Sequence, residues 1–349
     1  MPPPPPLKDI LEALHQCVLP GAGVAAFVFC VFLVAGRWAA ALGSAIAVAF
    51  AFMAANFAPP NLTPEDPKPT WDNTSRLVLW KPVDAPKPAA ASLDEDVPKP
   101  PLASPCEHWL PRAAIVLLIV GLLTRWLGMA AGRAIPERAW WTANLLVWLP
   151  RAGAVYVVCA WLVMGHAASK PEWSSLRWEL AFAMILVWLL LDGLARGGAS
   201  AEVSVYLCAM FYAGAAVLLY SHNAKFMELA VVIGSAMSGI AVAAGVVQVR
   251  EVGAKLSASG AIPVAVAFLP GLLLGTRPSH ADNKVPAISF WLVTLAPLVL
   301  APFLIPRVSR QNRWLLFALR AALVMLPLVI AVILAGQYEK LPYEEEPEW

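Results

Sequence analysis

The feature that most constrains this chain is a series of apolar runs, each long enough to cross a bilayer and almost free of charge. A hydrocarbon core about 30 Å thick asks for about 20 apolar residues per helical crossing. Ten segments meet that description: 18–36, 39–58, 110–129, 140–165, 178–194, 203–220, 226–249, 260–275, 287–306 and 314–336. The runs are continuously apolar rather than alternating, which predicts helices and not the strands of a barrel. In lipid the backbone must satisfy its own hydrogen bonds, and a helix does so within one segment. The expected fold class is therefore all-α: a polytopic integral membrane helical bundle of about ten transmembrane helices, with one long Pro-rich extramembrane loop.

Composition agrees. The 349 residues are 60% hydrophobic and 14% charged, against about 45–50% and 25% in a soluble domain. A formal net charge of +2 gives no field for polyanions, so a nucleic-acid partner is not expected. Of the 15 tryptophans, Trp38, Trp109, Trp126, Trp140, Trp141, Trp178, Trp291 and Trp314 fall near the ends of apolar runs, as in an interfacial aromatic belt. Cys30, Cys159 and Cys208 lie inside runs and read as small hydrophobes. Cys17 and Cys106 lie outside them, where an oxidising compartment would permit a disulfide.

The chain divides into a short Pro-rich arm (1–17), a two-span hairpin (18–58), a Pro-rich loop (59–109), a bundle of about eight spans (110–336) and an acidic tail (337–349). The first two runs are separated only by Gly36, Arg37 and Trp38. A single helix over 18–58 would be about 60 Å long, so a tight hairpin is expected. Lys8 is offset by Asp9 and Glu12, so the basic start of a secretory signal peptide is missing. The loop holds twelve prolines and reads as an extended, semi-rigid linker. Within it, 76–80 is a short apolar patch, and Asn61 and Asn73 open N-x-Thr/Ser patterns. A division of five spans plus five, as in inverted-repeat transporters, would align Pro150 with Pro297 and Pro302, but no internal sequence repeat supports it.

With ten spans, both termini and the 59–109 loop share one side. The short connections on the other side carry Arg37, Arg125, Arg133, Arg138, Arg196, Arg250, Lys255, Arg307, Arg310 and Arg313. Short basic loops stay cytoplasmic. The expectation is a multi-pass plasma (inner) membrane protein with these Arg-rich loops inside and the termini and long loop outside.

No motif of known mechanism is present: no H-E-x-x-H, G-x-S-x-G or P-loop. The candidates are single polar residues in unusual places. Arg151 lies in the middle of the fourth run, where a charge costs at least about 2.5–3.5 kcal/mol. Asn144 lies seven residues earlier on roughly the same helical face, and Pro150 frees the carbonyl of Leu146. Arg151 with Asn144 can read an anionic substrate in a cavity. Alternatively, freed carbonyls or a neighbouring carboxylate satisfy the arginine structurally, or 140–150 is interfacial and the guanidinium lies among headgroups. Asp192 can pair with Arg196 at i+4 and Lys225 with Glu228 at i+3. Arg320 is shallow enough to snorkel to the Arg-rich side. His15, His108, His166, His222 and His280 all fall on the tail side, but most extramembrane residues do, so no metal site or cofactor is expected. Pro263, Pro270, Pro297, Pro302 and Pro327 interrupt spans. Small residues (Gly234, Ser235, Ser238, Gly239, Ala243 and Gly245, and the pair Gly271 and Gly275) predict close helix contacts. The leading functional expectation is a transporter-like protein for a small solute or lipid. The alternatives are a non-catalytic subunit docking a protein partner through loop 59–109, and a membrane-embedded enzyme with an extracytoplasmic polar site; the chain reads as non-enzymatic first. The one partner common to all three is the lipid bilayer.

Overall fold

A computed structural model describes residues 18–34, 43, 46–48, 105–134, 140–167, 172–196, 200–221, 224–250, 260–274, 285–304 and 313–337. Among these residues there is no strand. The helices are α1 (Leu19–Val34), α2 (Pro105–Ala134), α3 (Trp140–Ala167), α4 (Glu172–Leu194), α5 (Ser200–Tyr220), α6 (Ala224–Arg250), α7 (Ala261–Leu274), α8 (Ala287–Leu295) and α9 (Arg313–Gln337), with a 3-10 segment (Ala296–Leu304) continuing α8. Among the described residues, four stretches are long and apolar enough to cross a membrane: Glu202–Tyr220, Leu229–Val246, Ala287–Leu304 and Trp314–Gln337. The described residues are thus nearly all helical, with apolar helices of membrane type. Most of the expected 39–58 span, nearly all of loop 59–109, arm 1–17 and the tail beyond Gln337 lie outside the described residues.

Two boundaries differ from the sequence expectation. Helix α2 begins at Pro105, inside the segment read as loop. Proline suits a first helical position, where its missing N–H has no partner to lose. The ninth run is not one α-helix, because it changes to 3-10 geometry at Ala296. Pro297 and Pro302 carry no N–H for an i→i−4 bond, and the tighter turn re-satisfies part of the backbone. Pro150 and Pro327, in contrast, are carried inside α3 and α9 without a change of helix type.

The helices pack as successive hairpins, with α2 on α3, α3 on α4 and α5 on α6, while α1 lies along α6. At the α1–α6 crossing, a Cβ on Gly239 would strike the backbone carbonyl of Ala22, so only glycine allows this approach. Gly245, from the same small-residue stripe, faces open space. Gly271 and Gly275 lie outside the described side chains. At the centre is α7. Every residue from Gly260 to Leu269 is buried, and α7 contacts α2, α4, α5, α6 and α8. Its Pro263 ring lies where a Cβ on Gly121 of α2 would come within 2.9 Å. At the rim, α9 turns Trp314, Leu315, Leu326 and Ile333 outward, as a lipid-facing helix does. Trp126 and Trp178 are likewise exposed near helix ends.

Candidate functional site

The apolar stretch of α4, Leu180–Leu191, ends at Asp192. That of α2, Ala113–Thr124, ends before Arg125, whereas Arg151 lies inside α3 with uncharged residues on both sides. The three helices bring Thr124, Arg151 and Asp192 together. Arg151 Nη1 donates to Asp192 Oδ2 at 2.8 Å, and Arg151 Nε donates to Thr124 Oγ1 at 2.8 Å. The Thr124 hydroxyl in turn donates a hydrogen bond to the Val120 carbonyl at 2.7 Å. Arg196 Nη2 reaches the same Asp192 oxygen at 2.6 Å. The Arg151 guanidinium also lies 4.7 Å from the Trp148 ring centre and 5.0 Å from that of Trp188, and the two rings meet edge to face. Arg125 lies in the field of Asp192, Arg151 and Arg196.

This geometry explains how a charge sits in the middle of a long helix. Arg151 is 3% exposed, so its charge needs partners nearby. One carboxylate, one hydroxyl and two aromatic faces supply them. Its depth along α3 is offset by its level on α4, which ends two residues before the exposed Arg196. The hydrogen bonds of Arg151 go to α2 and α4 and not to Asn144, which is half-buried. An incoming anion would compete with Asp192 for this guanidinium.

A second cluster joins α5 to α9. Arg320 Nη1 donates to Glu202 Oε2 at 3.0 Å, and the Tyr206 hydroxyl donates to the same oxygen at 2.9 Å. Arg320 and Glu202 are 7% and 9% exposed, and the guanidinium is 5.2 Å from the Phe303 ring centre. The expectation that Arg320 snorkels is corrected: it turns inward to a carboxylate. The missed signal is the i,i+4 pair of Glu202 and Tyr206 in the first turns of α5. Arg320 Nε is buried with no hydrogen-bond partner among the described residues.

The side chains of Lys225 and Glu228 lie outside the described set, as do those of the five histidines, Cys17 and Cys106. Among the described residues, no three His, Cys, Asp or Glu side chains group as metal ligands. Cys159 is buried with its thiol 3.3 Å from the Met184 sulfur. At the far end of α4, Arg177 lies 5.3 Å and 5.7 Å from the Tyr156 and Trp178 rings. The chain matches no family model, no curated protein and no solved structure.

Proposed function

We propose that the protein is a ten-span plasma-membrane transporter for a small solute or lipid, with the Arg-rich loops cytoplasmic and both termini and loop 59–109 extracytoplasmic. One observation carries the reading: α7, a proline-bearing helix in the middle of the bundle, packs against α8, which the 3-10 segment with Pro297 and Pro302 continues. Pro263 and Pro270 lie within α7, and neither has an N–H to give to the helix. Transporters place short or broken helices of this kind at the substrate path, where freed carbonyls meet cargo instead of lipid. A nine-residue 3-10 run is unusually long and marks a hinge or a strained element. In this reading the α7–α8 pair moves against a frame of α2, α3 and α4, which the Arg151–Asp192 pair ties together. Arg151 and Asn144 border the path from the Arg-rich side.

Accessibility tests it. Single cysteines are placed along α7 and the 3-10 segment in a background lacking the five native cysteines. They are then treated with a membrane-impermeant maleimide in right-side-out and inside-out vesicles. The proposal expects buried positions of the two elements, such as Ala265 and Pro297, to label from at least one side. A bundle in which neither element labels from either side has no path, and the transport reading falls.

A further inference from the structure

We propose that the arginine cluster at the junction of α2, α3 and α4 binds a phosphate group, supplied in the membrane by the headgroup of an anionic phospholipid. The inference rests on the membrane location and not on transport. Its first support is charge. Arg151 and Arg196 share one oxygen of one carboxylate, which leaves this trio one positive charge in excess. The second is donor geometry. A guanidinium carries five N–H donors in a planar fork. Arg151 spends Nε and Nη1 on Thr124 and Asp192, and Arg196 spends Nη2 on Asp192. The Nη2 group of Arg151 and the Nε–Nη1 edge of Arg196 remain to grip phosphate oxygens in the bidentate manner that arginine favours.

The third support is position. The uncharged stretch of α4, Leu180–Leu191, ends at this cluster, and α4 itself ends two residues before Arg196, so the cluster opens at the end of a spanning helix. Phosphodiesters are the concentrated anions there, and basic pockets between helices on the cytoplasmic side take up such headgroups. Access runs through Arg196, whose side chain is 55% exposed against 4% for Arg151. Trp126, next to Arg125 in sequence, is 64% exposed and suits the glycerol level beside a headgroup. The Glu202–Arg320 cluster fails on both counts, being one charge against one and closed on both sides.

The test titrates the purified full-length protein in detergent with phosphatidylglycerol and, separately, with phosphatidylcholine, and counts retained lipid by native mass spectrometry. Arg196→Gln, which leaves the Arg151–Asp192 pair in place, and Arg196→Ala are each expected to cut retained phosphatidylglycerol about 5-fold. They leave phosphatidylcholine unchanged, and Arg177→Gln at the other end of α4 has a smaller effect. Thermal unfolding of the same variants shows whether they are folded, and phosphatidylglycerol raises the midpoint of the unaltered chain more than that of Arg196→Gln. Equal retention of the two lipids, or equal losses in Arg177→Gln and Arg196→Gln, overturns the site. Retention of inorganic phosphate that Arg196→Gln abolishes, with no preference between lipids, overturns the lipid source and assigns the same donors to a soluble phosphate.

Discussion

The two buried ion clusters are built from the same chemistry and differ in how they close. The Glu202–Arg320 cluster sets one cation against one anion, adds the Tyr206 hydroxyl, and shuts both charges away between α5 and α9. The Asp192 cluster sets two arginines on one carboxylate oxygen, spreads over α2, α3 and α4, and opens outward through Arg196. A balanced, closed pair fastens two helices. An unbalanced, open one fastens three and keeps a hand free for a ligand. In lipid, where apolar surface gives little reason for helices to associate, such polar contacts and close packing supply the specificity.

The largest effect should come from breaking the unbalanced cluster. Asp192→Ala leaves Arg151 and Arg196 facing each other with no counter-charge, and should cost about 3–5 kcal/mol in unfolding measured in detergent. The balanced cluster should yield less. Glu202→Gln keeps an acceptor for Arg320 and Tyr206 while removing the charge, and should cost about 1.5–3 kcal/mol in the same assay. A Glu202→Gln loss larger than that of Asp192→Ala would reverse the ranking of the two clusters. Tyr206→Phe is the smallest change. It keeps the buried ring and removes one donor to Glu202 Oε2, so a loss of about 1 kcal/mol is expected. No loss at all would mean that Arg320 alone satisfies Glu202.

The sequence shows the first cluster better than the second, for a physical reason. Lipid makes apolar runs long and charges rare, so Arg151 stands out within its run. Asp192 and Arg196 are visible as an i,i+4 pair on one helix. The partner that Arg151 takes is 41 residues away on another helix, and a neighbouring carboxylate was only one of the readings that its setting allowed. Glu202 and Arg320 are 118 residues apart, and Arg320 sits near a helix end where snorkelling is the simpler expectation. The same limit holds for the backbone. Pro297 and Pro302 announce an interruption of the ninth run. Its conversion to 3-10 geometry depends on α4 and α9, which pack against it. The central place of α7 comes from its neighbours too, since its composition differs little from that of α1.

The central claim is that the charge of Arg151 is held inside the bundle by Asp192. A double-variant cycle tests it most directly: unfolding free energies in detergent for Arg151→Met, Asp192→Leu and the two together. Each single change should cost about 3–5 kcal/mol by stranding a buried charge, and the double variant should be more stable than either single one. Losses that simply add in the double variant would contradict the claim, and would mean that the two side chains are satisfied elsewhere.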